Sequence, residues 1–325
     1  MRDHGGNLGQ AAAHYGGTLA DWIDLSTGIN TVPYPIGHIP ADAWQRLPEP
    51  ASLRQLERAA QHAYGTASEV VPVAGAQAAI QMIPRLRGAG TAAVLSPTYN
   101  EHAAALRACG WRVQEVGAFQ ALEGSDLAVV VNPNNPDGRV YAPQQLMMLA
   151  QTVGLLIIDE SFADADPETS LVGQGVTAHL PENVVVLRSF GKFYGLAGVR
   201  LGFVVCQSEL ARKFRDMTGP WPVSGMAIEI AQRALQDDTW AQTTRVRLGN
   251  DTRRLDALAV TAGWKVVGGT SLFRTYATDN GIMAQKMLAK HHIWSRIFPY
   301  STNWIRMGLP GTAADWARLT IAMEN

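Results

Sequence analysis

The chain has 325 residues, 47% of them hydrophobic and 17% charged, a length that suggests two domains with cores large enough to fold without disulfides or metals. With 27 Lys and Arg against 28 Asp and Glu, the formal charge is −1, which leaves no excess positive field for a nucleic acid or an anionic membrane. Cys109 and Cys206 stand apart, His291-His292 is an adjacent pair whose side chains diverge, and no His-x-x-x-His with a carboxylate occurs, so neither a disulfide framework nor a metal site is expected.

The N-terminus, Met1-Arg2-Asp3-His4-Gly5-Gly6, has no apolar signal-peptide core, and runs such as Leu127–Val131 are too short to span a bilayer. A cytoplasmic location is expected. From about Ser52 to Val205, short β-branched runs alternate with helical stretches. Ser52–Tyr64 puts Leu53, Leu56, Ala60 and Ala63 on one helical face, and a second helix is predicted over Ala78–Leu86. Strands are predicted at Val70–Val73, Thr91–Leu95, Trp111–Val116, Leu127–Val131, Leu155–Ile158, Val184–Arg188 and Leu201–Val205. Apolar strands separated by helices imply a mainly parallel sheet covered on both faces. This is an α/β large domain, placed at residues 45–215.

After Cys206 long helical patterns cover Ser208–Met217, Ala227–Gln236 and Thr239–Ala262. Short strands follow at Lys265–Val267, Leu272–Thr275, Trp294–Phe298 and Trp304–Gly308, and a last helix at Ala313–Glu324. Residues 1–44 and 216–325 together read as a smaller α+β domain.

In an open parallel sheet, ligands bind beyond the carboxyl ends of the strands. After Val184–Arg188 comes Ser189-Phe190-Gly191-Lys192, with Arg200 eight residues beyond the lysine. Lys192 alone could be a solvated surface lysine. Ser189 and Arg200 bracket it with a hydroxyl and a guanidinium suited to a phosphate, and fixed positive charge favours the neutral amine that imine formation needs. Asp159 ends an apolar strand, where it is either a cap or core ion pair, or the partner of a protonated ring nitrogen. Asn132-Pro133-Asn134-Asn135-Pro136-Asp137-Gly138 makes a sharp loop with aimed amides. Gly75 and Ala76 open a helix whose free N–H groups suit an anion, and Tyr99 is a packed ring or a stacking one. An imine-forming lysine, a ring-nitrogen carboxylate, an amide, a stacking ring and a phosphate cradle describe a pyridoxal 5′-phosphate site. Gly88-Ala89-Gly90 precedes a strand instead of following one, which excludes a dinucleotide fingerprint.

With those residues in that order, the chain resembles the fold-type I, aspartate aminotransferase-like enzymes of the class I/II aminotransferase superfamily over nearly its whole length. The resemblance implies Lys192 as the cofactor-bearing lysine, Asp159 as the pyridinium partner, Asn135 on the ring 3-oxygen and Tyr99 stacked on the ring. It gives the cofactor phosphate to Gly75, Ala76, Ser189 and Arg200. Within the superfamily the chain is most similar to the L-threonine O-3-phosphate decarboxylases of cobalamin biosynthesis. His4-Gly5-Gly6-Asn7 and Leu25-Ser26-Thr27-Gly28-Ile29-Asn30 carry that likeness, with Phe162 where most aminotransferases have tyrosine. Unaided, His4-Gly5-Gly6 reads as a frayed terminus. The resemblance implies instead that His4, Gly5 and Gly28, with Asn135, Arg296 and Arg306, bind a phosphorylated amino acid. It also implies a homodimer. Two departures are Ala76, which offers no hydroxyl to the cofactor phosphate, and Leu47, where many relatives have a tyrosine reaching the neighbouring subunit. The alternative within the superfamily is an aminotransferase such as one acting on histidinol phosphate.

Overall fold

The computed structural model describes residues 4–173 and 179–324. In chain order its strands are β1 (Ile23–Asp24), β2 (Glu69–Val73), β3 (Thr91–Leu95), β4 (Arg112–Val116), β5 (Leu127–Val131), β6 (Leu156–Asp159), β7 (Val184–Ser189) and β8 (Gly202–Cys206), followed by β9 (Lys265–Thr270), β10 (Phe273–Ala277), β11 (Ile293–Trp294), β12 (Arg296–Phe298) and β13 (Ser301–Gly308). The chain divides into two units: a larger one of Tyr34–Asn135 and Arg139–Ala241, and a smaller one of the described residues up to Pro33, Pro136–Gly138 and 242–324.

The larger unit holds a seven-stranded sheet in the order β2-β8-β7-β6-β5-β3-β4. All of its strands run parallel except β8, which is antiparallel to both β2 and β7. The expected α/β fold with a mainly parallel sheet is the fold observed. All five residues of β5 and the four of β6 are buried, as a sheet covered on both faces requires. One face packs Val71, Val94, Val129, Ile157, Leu187 and Val204 against Ile80, Leu106 and Phe214 from helices at Ala76–Met82, Glu101–Ala108 and Ser208–Thr218. Each such side chain contributes about 1.5–3 kcal/mol by leaving water.

The first long helix runs Pro50–Tyr64, with proline in its first turn and the left-handed Gly65 closing it. It buries Leu56, Ala59, Ala60 and Tyr64, while Ala63, expected on the buried face, is exposed. A helix's buried stripe drifts, and Tyr64 supplies more apolar surface than alanine.

In the smaller unit β1 pairs with β11 in parallel, and β12-β13-β10-β9 form an antiparallel sheet. The single strand expected over Trp294–Phe298 is two strands, interrupted at Ser295 because its halves pair with different partners, β1 and β13.

Candidate active site

The direction of β8 explains the first feature of the site. Because β8 runs against its neighbours, the residues just before it lie at the same sheet edge as those just after β6 and β7. Arg200, which precedes a strand, therefore joins Asp159 and Lys192, which end or follow one. Gly75, Ala76, Tyr99, Asn135, Asp159, Ser189, Lys192 and Arg200 all line one cavity, with Gln77, Ser161 and Phe162. The eight residues expected at the cofactor thus share a single space in the larger unit.

The anion end of this cavity is built by close backbone approach. Gly75 has φ of +82°, and a Cβ there would lie 2.7 Å from Arg200 Nη2. Gly202, at the start of β8, sits so near the same turn that a Cβ would lie 2.5 Å from the Ala76 nitrogen. Arg200 itself takes a left-handed backbone with φ of +57°, and its Nη1 donates to the Ala197 carbonyl at 3.0 Å. Such a conformation costs roughly 1–2 kcal/mol in a non-glycine residue, and here it places the guanidinium against Gly75.

Asp159 is 2% exposed at the end of β6. Its Oδ1 accepts from the Ser161 backbone N–H at 3.0 Å and the Ser161 hydroxyl at 2.5 Å, and its Oδ2 meets His102 Nε2 at 2.8 Å. Burial on its own pushes a carboxyl up; the His102 and Ser161 contacts outweigh it and hold Asp159 below the ordinary carboxylate value. Two oxygens offer about four acceptor sites, and these three donors leave capacity at the cavity wall for a further N–H donor.

The asparagine loop sorts its amides. Asn132 accepts from the Tyr141 N–H and donates to the Tyr141 and Thr169 carbonyls, while Asn134 accepts from the Thr98 hydroxyl and donates to the Pro97 carbonyl. These two fix the turn, and Asn135 is the one that lines the cavity. Tyr99 is held from behind: its hydroxyl donates to Gln77 Oε1 at 3.1 Å, and Gln77 Nε2 donates to the buried Glu101 at 3.1 Å. Lys192 lies on the helical turn Phe190–Phe193, its Nζ 5.6 Å from the centre of the Phe162 ring.

Sequence reasoning missed His102, Ser161, Gln77 and Glu101. The signal for the first was present: Tyr99 and His102 stand three apart, one turn around a helix start, and a histidine among alanines needs a polar partner when buried.

The smaller unit carries the other expected residues. Arg306 on β13 and Arg296 on β12 are direct partners across antiparallel strands. Like charges placed opposite each other are destabilising unless an anion joins them. Arg306 is only 3% exposed; its Nη2 donates to the Ser26 carbonyl at 2.6 Å, and its guanidinium carbon lies 5.1 Å from the Phe273 ring centre. Gly28 is buried and His4 exposed. Gly5 is packed on Ser26, so a Cβ there would lie 2.3 Å from the Ser26 carbonyl oxygen.

Chemically, the larger unit's cavity offers an amine, an ionised carboxylate, an aromatic face and an anion cradle of backbone, hydroxyl and guanidinium. That donor set fits a planar, phosphorylated nitrogen heterocycle bearing a carbonyl carbon. The paired arginines of the smaller unit fit a carboxylate or phosphate.

Residues 22–322 match the aminotransferase class I and II family, and the chain belongs to it. It is similar to the threonine-phosphate decarboxylase of Pseudomonas aeruginosa, 43% identical over 330 residues that cover 99% of this chain and 97% of that one. The threonine-phosphate decarboxylase of a Sinorhizobium species is 42% identical over 331 residues, with the same coverage of each chain. In fold it is similar to the crystal structure of histidinol-phosphate aminotransferase from Sinorhizobium meliloti in complex with pyridoxal-5′-phosphate. The TM-score is 0.86 at 19% identity, covering 98% of this chain and 94% of that one. The large domain is therefore of fold-type I.

Proposed function

We propose that this protein is a pyridoxal phosphate-dependent carboxy-lyase that converts L-threonine O-3-phosphate to (R)-1-amino-2-propanol O-2-phosphate and carbon dioxide, a step of cobalamin biosynthesis. The observation that carries the chemistry is the presence of Lys192 and Asp159 in one cavity, with His102 and Ser161 holding the Asp159 carboxyl below its ordinary value. Near-full-length similarity to two threonine-phosphate decarboxylases supports the substrate.

Bound pyridoxal phosphate would supply an electron sink for the pair left at the substrate Cα when the carboxylate departs. Asp159 holds a proton on the ring nitrogen, which its lowered value permits because it stays an acceptor. Asn135 donates to the ring 3-oxygen, and Phe162, lacking a hydroxyl, leaves that task to it. Tyr99 covers the ring face. The Gly75 and Ala76 backbone, Ser189 and Arg200 hold the phosphate. Lys192 is the amine that would anchor the cofactor's carbonyl carbon, and its Nζ would supply the proton that takes the place of carbon dioxide at Cα.

Arg306, with Arg296, would take the substrate carboxylate and set its orientation for loss of carbon dioxide. His4, Gly5 and Gly28 take the distant phosphate, whose binding energy is used for positioning. The active species is a cytoplasmic homodimer, in which a second copy would cover large apolar side chains such as Trp44, Leu47 and Trp221, which are 64%, 62% and 54% exposed in the larger unit. Among the described residues no helix is long and apolar enough to cross a membrane.

Borohydride reduction of the loaded protein, followed by peptide mapping, tests the assignment of Lys192. The cofactor mass is expected on Lys192 alone among Lys192, Lys213, Lys265, Lys286 and Lys290. Its attachment elsewhere would contradict the reading.

A further inference from the structure

Ser26 makes more contacts than its place in a turn requires. Asp24 Oδ1 accepts from the Ser26 N–H at 2.9 Å and from its hydroxyl at 2.6 Å, which fixes the serine relative to β1. The same hydroxyl oxygen accepts from the Gly6 N–H at 2.7 Å. The Ser26 carbonyl is the acceptor for Arg306 Nη2 at 2.6 Å, and it is also the surface on which Gly5 is packed. Just before it, Leu25 is held at both of its backbone groups, its carbonyl accepting from the Gly308 N–H at 2.7 Å and its N–H donating to the Trp294 carbonyl at 2.8 Å. The Ser26 peptide therefore has little freedom to turn. Its oxygen is shared between the N-terminal segment and the buried guanidinium.

We propose that Ser26 is a positioning residue that joins the N-terminal segment to Arg306, so that seating Gly5 and Gly6 on Ser26 fixes the guanidinium that takes the substrate carboxylate. This rests on the reading of Arg306 given above and deepens it. The segment then does two things. It presents His4, and it sets the aim of an arginine that it never has to touch. The glycine at position 5 is required for the second task, because any Cβ there must displace either the segment or the carbonyl that Arg306 holds. The smaller unit in this way ties recognition at the two charged ends of a substrate to one peptide.

The test uses two ligands that each carry one of those ends: L-threonine, with the carboxylate and no phosphate, and (R)-1-amino-2-propanol O-2-phosphate, with the phosphate and no carboxylate. Binding of each to the holoenzyme is followed by the change in cofactor absorbance, in wild type, Gly5→Ala and Ser26→Ala. A segment that served the phosphate alone would leave L-threonine unaffected in both variants. Coupling through Ser26 predicts that Gly5→Ala weakens L-threonine about tenfold as well as the phosphate ligand, the size expected of a coupling between sites. Linkage is reciprocal, so L-threonine must also slow hydrogen exchange at the Gly6 amide in wild type and not in Ser26→Ala. Unchanged L-threonine affinity in Gly5→Ala, or no effect of L-threonine on Gly6 exchange, overturns the inference and leaves the proposed activity standing. A wild-type holoenzyme that binds neither ligand overturns the proposed activity, and the inference with it.

Discussion

His102 Nε2 and Asp159 Oδ2 lie 2.8 Å apart, with both side chains all but removed from solvent. Asp159 is thus pre-arranged as an acceptor by the helix Glu101–Ala108, whose Glu101 also holds Gln77 behind Tyr99. Losing a hydrogen bond to a charged group of this kind costs about 1.5–3 kcal/mol, so His102→Leu is expected to lower kcat roughly tenfold to hundredfold. The sign of its pH effect follows from the lowered carboxyl. A carboxyl held below its ordinary value contributes stability that is present above that value and lost as the pH falls through the folded one. Without His102 the folded value rises, and the acid limb of the pH–rate profile and of the pH–stability profile shifts upward. An unmoved acid limb would remove His102 from this role.

Gly75→Ala tests the anion end. The added Cβ meets Arg200 Nη2 at 2.7 Å, at a φ of +82° that alanine tolerates poorly. Cofactor affinity, measured by absorbance titration of the stripped protein, is expected to fall about tenfold for a loss of roughly 1.4 kcal/mol. Affinity equal to wild type would mean that Arg200 does not serve the phosphate.

Arg188 ties down the loops behind the site. It donates to Glu160 at 2.8 Å and to Ser170 at 2.9 Å, and it also bonds Asp164, all of them buried. Arg188→Leu strands two carboxylates and is expected to cost about 3–5 kcal/mol, seen as a fall in Tm of roughly 10 °C. Glu160→Gln behaves differently. Burial pushes the Glu160 carboxyl up, against the opposing pull of Arg188, so its contribution to stability is fullest at low pH and declines as the pH rises from the ordinary carboxylate range toward the folded value. The Tm deficit of Glu160→Gln is expected to be smaller at pH 7.5 than at pH 4.5. A constant deficit would contradict this.

Trp44, Leu47 and Trp221 are large apolar side chains left in solvent. If a second copy covers them, Trp44→Ala weakens the dimer by about 2 kcal/mol, which sedimentation at dilute concentration reads as monomer. A wild-type protein that is monomeric at all concentrations would dismiss the dimer.

Much of the site was legible because fully buried strands announce themselves. Leu127–Val131 and Val184–Arg188 have no polar residue before their ends apart from Arg188, so the polar residues that follow mark the sheet edge. Other features were not legible. Periodicity carries no strand direction, so nothing in Gly202–Cys206 says that it runs against its neighbours and brings Arg200 to that edge. The helix Glu101–Ala108 is short, and its importance lies in a contact with a residue 57 positions away, which no local pattern encodes. The two-residue strand Ile23–Asp24 exists only through its pairing with β11, and the same is true of the break at Ser295. Gly5 looked like a residue chosen for its ligand, and the structure gives it a packing reason as well.

The central claim is the reaction at Cα, and the mass of the product decides it. The protein is loaded with pyridoxal phosphate, given L-threonine O-3-phosphate with no 2-oxo acid present, and the mixture is analysed by mass spectrometry. Many turnovers to 1-amino-2-propanol O-2-phosphate, with carbon dioxide released in equal amount, are the predicted result. Unchanged substrate, or a single turnover to an oxo acid that leaves pyridoxamine phosphate on the protein, would contradict it and point to an aminotransferase.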